Sequence, residues 1–229
     1  MPKKRPSKRL TPNFKVICEG STEKHYVDGL RKWLSKSPLS SYRIMPVDAK
    51  GGGYSVVLDH LRKTPDSNCV AVIALFDFDR YISTFEERKV FTEILELSKN
   101  SIKKRVPIIL VVSNPDFEYV ICAHDPDFRN GDITKFLVKS MRYENLDACK
   151  ADDGVWDKVH SGNRSHEVAL EDLSECSHII TNDLEIGSGR LPGQVILKGV
   201  ACNLDAQSVR TSNLGDLFEV VTLGKGAHR

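Results

Sequence analysis

The sequence predicts an α/β fold, a mainly parallel sheet flanked by helices, and three observations carry that prediction. Residues 69–80, "CVAVIALFDFDR", open on a long apolar run bounded by polar stretches, the pattern of a strand buried on both faces. Apolar runs at 14–18 and 106–114 share that character, and segments with helical spacing lie between the three. Strand–helix alternation of this kind implies parallel strands joined by crossovers.

"FKVIC", 14–18, is the first strand. Ser21 is placed to cap the helix that follows, and Glu23 falls in its first turn, where the helix dipole favours an acid. Tyr26, Val27, Leu30, Trp33 and Leu34 recur at helical spacing, which assigns Trp33 to the core. "YRIMPV", 42–47, is a second strand whose Pro46 suits an edge or a loop. "KGGG", 50–53, is a flexible turn, and a short helix spans 55–63. A helix at 85–98 follows the most buried strand. The strand at 106–114 leads to a short helix opened by Pro115, a favoured first helical residue.

Beyond about residue 125 the pattern weakens. Helices are expected near 132–142, 165–175 and 213–221, with a strand at 194–202, and the Gly-rich stretch 182–194 reads as a loop. Gly187, Gly189 and Gly193 miss the dinucleotide-binding fingerprint by their last interval. The expected organisation is a basic arm at 1–12, an α/β core at 13–125, and an α+β extension at 126–229 packed on that core.

A chain of 229 residues is long enough for one large α/β domain, and 40% hydrophobic with 28% charged residues is an ordinary globular composition. No apolar run reaches the roughly 18 residues of a membrane span, and the basic N-terminus has no signal-type apolar segment, so a cytoplasmic location is expected. Lys3, Lys4, Arg5, Lys8 and Arg9 form an arm able to gather phosphates, or a solvated terminus. Six scattered cysteines show no C-x-x-C and no zinc-finger spacing, which implies reduced thiols. His160, His166 and His178 lack ligand partners at useful spacing and read as surface residues. The stretch 154–166 offers Trp156 as a stacking face with Lys158 and Arg164 as charges, a substrate loop or a partner interface.

The acids point most directly to function. Glu19 ends the first strand, and Asp77 and Asp79 end the most buried one. The carboxyl ends of parallel strands form the edge where ligands bind. If the two strands are neighbours, three carboxylates converge, each raising the pKa of the others. A hard cation removes that penalty, which points to Mg²⁺, with Mn²⁺ as a substitute. The competing reading of the D-x-D pattern is strand-end and helix-capping chemistry. Glu23 either orients Glu19 or a second metal, or stabilises its helix. Glu118 is placed to hold a metal or position a basic residue. Lys50, Asn114 and His124 are candidates for binding substrate. For Lys50 the glycines that follow offer backbone amides to a phosphate, although a simple turn also explains them, and His124 also suits a helix end.

"ICEGSTEKHY" followed by "FDFDR" resembles the Toprim catalytic domain of topoisomerases, primases and OLD-type nucleases. With "SNPDFEYVICAH", 113–124, the set is similar to the RloB-like family, associated with bacterial abortive infection and antiphage defence. "RTSNLGDLFEVV", 210–221, resembles a weakened form of its closing motif, and Tyr119 stands where that pattern has Trp. The resemblance implies an Mg²⁺-dependent nuclease with Glu19 as general acid/base or metal ligand and Asp77 and Asp79 as metal ligands. It implies RNA, transfer RNA included, or DNA as substrate. It also implies an ABC/AAA-type ATPase as partner, since the chain has no Walker motif, and it admits a homodimer. The alternative is a Toprim-like module that binds nucleic acid or its ATPase without cleaving.

Overall fold

The apolar runs become neighbours in one sheet. The computed structural model describes residues 11–36, 42–187 and 194–223. In it β1 (Asn13–Cys18), β2 (Arg43–Asp48), β3 (Cys69–Asp77) and β4 (Ile108–Asn114) lie parallel in the order β2-β1-β3-β4. The connections carry α1 (Ser21–Ser35), α2 (Gly53–Arg62), and α3 (Asp79–Ser83) with α4 (Phe85–Lys99).

Alternation along each strand divides the core. Phe14, Val16, Cys18, Ala71, Ile73, Leu75, Ile109 and Val111 pack with Tyr26, Val27 and Leu30 of α1. Ile17, Val72, Ala74, Phe76, Leu110 and Val112 pack with Tyr54, Val57 and Leu58 of α2 and Phe91 and Ile94 of α4. Both faces are dry, so β3 shows no polar alternation. Each large side chain fully buried here contributes roughly 1.5–3 kcal/mol. Pro46 lies on the edge strand, where a missing N–H donor is tolerated.

The remainder of the chain builds on this sheet. It forms α5 (Phe117–Ala123), α6 (Ile133–Lys139), α7 (Leu146–Lys150), α8 (Val155–Lys158), α9 (His166–Ser174), the antiparallel pair β5 (Ile180–Ile186) and β6 (Val195–Cys202), β7 (Thr211–Ser212) and α10 (Leu214–Thr222). β7 joins the sheet antiparallel to β4, so the sheet is mixed and five-stranded. Asn213 pins this junction, accepting from the Val112 N–H and donating to the Leu110 carbonyl, both at 2.8 Å. Leu214, Leu217 and Phe218 of α10 enter the same core as α1. No helix among the described residues is long and apolar enough to cross a membrane.

Several expectations need correction. Gly20, not Ser21, caps α1, and the Ser21 hydroxyl donates to the Lys150 carbonyl at 3.0 Å. Pro115 precedes α5 in a cis peptide, and Asp116 caps that helix by accepting the Tyr119 N–H at 3.0 Å. Residues 182–186 are strand, not loop: a buried Asn182 sits where an apolar residue would have revealed the alternation. Trp33 is 39% exposed, because Trp156 and His166 take the interior position beside it. His166 is buried and His160 half-buried, since Trp156 stacks on His160 at 4.1 Å. Trp156 itself is buried against Tyr26 and Gly29, leaving no free stacking face. The five basic residues of the arm lie outside the described residues.

Candidate active site

Strand order reverses between β1 and β3, and an open α/β sheet forms a crevice at such a switch point. Glu19 leaves β1 there, its N–H donating to the Leu75 carbonyl at 3.0 Å. Asp77 ends β3 beside it, its N–H donating to Glu19 Oε2 at 3.2 Å. Gly20 in extended conformation carries the chain into α1, bringing Glu23 to the same edge. Glu118 arrives from the first turn of α5 and accepts a hydrogen bond from the Thr22 hydroxyl at 2.9 Å. These residues line a cavity of about 420 Å³ together with Asp48, Asp79, Lys50, Arg80 and Lys150.

Glu19, Glu23 and Glu118 are only 4%, 3% and 2% exposed. Burial raises the pKa of each: that of Glu23 is pushed up to about 8, with the Glu19 and Glu118 charges adding to the desolvation. Desolvation also lifts the Asp77 carboxyl well above the ordinary range, reinforced by Glu23, Glu118, Glu19 and Asp116. Arg80 offsets part of the effect on Glu19, and Lys150 part of that on Glu118. Burial alone would lower the Lys150 pKa, but the carboxylates of Glu118, Asp77, Asp116 and Asp79 together carry it up.

The cluster is incompletely satisfied. Asp77 is half-buried as a residue, yet its Oδ1 is closed to solvent and has no hydrogen-bond partner among the described residues. Glu118 Oε2 is likewise unpartnered apart from Lys150 Nζ at 3.8 Å. Among the described residues no three His, Cys, Asp or Glu side chains stand ready to hold a metal ion. The donor set nevertheless suits a hard divalent cation: all oxygen, mutually repulsive, with two orphaned carboxylate oxygens. Asp77, Glu118, Glu23 and Glu19 are the residues that would hold it.

The structure brings together six of the residues singled out in the sequence: Glu19, Glu23, Asp77, Asp79, Glu118 and Lys50. Asp79 lies exposed in the cleft wall, while Phe78 between the two aspartates is buried. Lys50 lines the cleft, but three amides of the turn that bears it are already engaged. The N–H groups of Lys50, Gly51 and Gly52 donate to Asp48 Oδ1, the Glu19 carbonyl and the Ala49 carbonyl. Asn114 and His124 do not reach the cleft. Asn114 Nδ2 donates to the Ala206 and Gln207 carbonyls at 3.4 and 3.1 Å, which seats the segment before β7. His124 is fully buried, with Nε2 2.9 Å from the Tyr26 hydroxyl and Nδ1 2.8 Å from the Val120 carbonyl.

Sequence reasoning missed Asp116, Arg80 and Lys150. Asp116 had a signal, since Asp116-Phe117-Glu118 repeats the acid–Phe–acid pattern of Asp77-Phe78-Asp79. Arg80 stood within the motif itself. Lys150 had none, because only the packing of α7 brings it to Glu118. No family model matches the chain, and no match is found among curated proteins or solved structures, so function is read from the cleft.

Proposed function

We propose that the protein is a divalent-cation-dependent nuclease of Toprim type, RloB-like in kind, that hydrolyses phosphodiester bonds in RNA or DNA. The observation that carries this reading is the group of buried carboxylates at the switch point, with Asp77 Oδ1 and Glu118 Oε2 lacking hydrogen-bond partners among the described residues. Burying several carboxylates without compensation is costly, and a cation is the compensation their chemistry selects.

Mg²⁺ or Mn²⁺, when bound, polarises the phosphate and lowers the pKa of the attacking water. Asp77, Glu118 and Glu23 hold the charge that attracts it. Glu19, whose pKa burial raises above its ordinary value, stands at the same edge to act as general acid/base or to join the cation's ligands. Lys50, Arg80 and Lys150 supply positive charge to the phosphate from the cavity wall. Within this reading the protein is a cytoplasmic effector of antiphage defence that acts with an ATPase partner.

The test is cleavage of mixed RNA and DNA with Mg²⁺ or Mn²⁺ by wild type and Asp77→Ala, with chelator controls. Metal-dependent cleavage absent from the variant supports the reading. Failure of the wild type to bind either cation sinks it. One observation favours the alternative, a binding module without cleavage: Glu19 is already neutralised by Arg80. Cation-independent nucleic-acid binding without cleavage would select that alternative.

A further inference from the structure

The ion pair between Glu19 and Arg80 opposes the chemistry just described, since it occupies the acid nearest the reaction. Arg80 Nε bonds Glu19 Oε1, Nη2 donates to the Gly51 carbonyl at 3.2 Å, and Nη1 lies 3.9 Å from Glu87 Oε1. Glu87 in turn accepts the Tyr54 N–H at 3.1 Å. The neighbouring turn is shaped around this arrangement. Gly53 has φ +72°, and a Cβ there would fall 2.5 Å from Glu87 Oε1 and 3.3 Å from Arg80 Nη1. The Arg80 side chain is still 38% exposed, at the cavity wall, so the guanidinium has room to turn toward an entering group.

We propose that Arg80 is a positioning residue that withholds Glu19 from a cation until a substrate phosphate draws the guanidinium away. The proposal rests on the nuclease reading. A cation approaching Glu19 in the present arrangement meets a fixed positive charge on the same carboxylate. A phosphate offers the guanidinium a bidentate partner of equal or better quality. Once Arg80 moves to the phosphate, Glu19 recovers its full charge and its free oxygen. Nucleic acid and cation therefore bind cooperatively, and the coupling acts equally in both directions. The cleft does not assemble its cation until substrate is present.

The experiment is Mn²⁺ titration by electron paramagnetic resonance on the full chain, with and without a single-stranded phosphorothioate oligonucleotide. Wild type, Arg80→Gln and Arg80→Lys are compared, with thermal unfolding as the check on folding. Arg80→Gln is expected to bind Mn²⁺ about tenfold more tightly than wild type without oligonucleotide, within the usual range of coupling. The oligonucleotide should tighten Mn²⁺ binding in wild type and no longer do so in Arg80→Gln, while Arg80→Lys stays near wild type. A gain in affinity is not what structural damage produces. Equal Mn²⁺ affinity in wild type and Arg80→Gln overturns the proposal and leaves the nuclease reading standing. Absence of Mn²⁺ binding in both overturns both. Glu19→Gln provides a second test that needs no cation: in chelator it should bind the oligonucleotide more tightly than Glu23→Gln, which removes an acid without freeing Arg80. Equal binding by these two variants overturns the proposal as well.

Discussion

Helix α1 serves two buried polar assemblies that differ in kind. Glu23 in its first turn belongs to the acid cleft, and Tyr26, less than a turn later, belongs to a histidine–aromatic cluster. In that cluster the polar atoms are paired. His124 bonds Tyr26 and Val120, His160 Nδ1 meets the Trp156 carbonyl at 2.8 Å, and His160 Nε2 meets His166 Nδ1 at 3.0 Å. The cleft keeps two orphaned carboxylate oxygens at similar depth. Buried polar groups that the protein satisfies itself specify packing, whereas the unsatisfied carboxylate oxygens of the cleft lie in a cavity open to a ligand.

Four measurements would break or sharpen this contrast. The largest effect on stability is expected from Trp156→Ala, which empties the centre of the histidine–aromatic cluster. A loss of about 3–5 kcal/mol in urea unfolding is expected, and a loss under about 1 kcal/mol would deny that cluster its architectural role. Next is Asp77→Asn, expected to lower cleavage by roughly 10²–10³-fold while leaving the protein as stable as wild type or more so. Lower stability in that variant would mean Asp77 is a structural acid. Tyr26→Phe leaves His124 Nε2 unpartnered and should cost about 1–3 kcal/mol, read by thermal unfolding.

The smallest net effect concerns pH, because the two assemblies respond with opposite signs. Burial lowers the His124 pKa to about 3, below its ordinary value of 6.5, so its contribution is present above pH 6.5 and lost as pH falls toward 3. The Glu23 pKa is raised from 4.5 to about 8, so its contribution is present below pH 4.5 and lost as pH rises through 8. Unfolding curves without metal should show a shallow maximum between these limits. Glu23→Gln should flatten the alkaline limb alone, and saturating Mg²⁺ should do the same to wild type.

The same contrast explains what was legible in the sequence. Strands β1, β3 and β4 were readable because burial on both faces leaves continuous apolar runs, and Glu19 and Asp77 were readable because they end two of them. Their adjacency depended on strand order, which no local pattern encodes. β5 was hidden by Asn182, whose amide serves the Leu110 carbonyl and Asp216 rather than solvent. Trp33 and Trp156 exchanged their expected places for a related reason. Helical spacing names a face, but the short helix α8 decides which indole that face covers. Lys150 comes from 129 residues beyond Ser21, whose hydroxyl its carbonyl accepts, and such a contact exists only in three dimensions.

The attachment of β7 has a consequence for how the protein is made. Ser113 meets Ser212 at 3.2 Å across a separation of 99 residues. During synthesis, the outer side of β4 therefore stands bare while that intervening stretch is translated. An exposed strand edge is a template for wrong pairing, and distant partners are slow to arrive. The segment around Thr211–Asn213 acts as a clasp that closes this edge late, beside the strand that leads to Glu118. A nascent chain halted before it would display the outer side of β4 without the strand that borders it at Ser113 and Asn114.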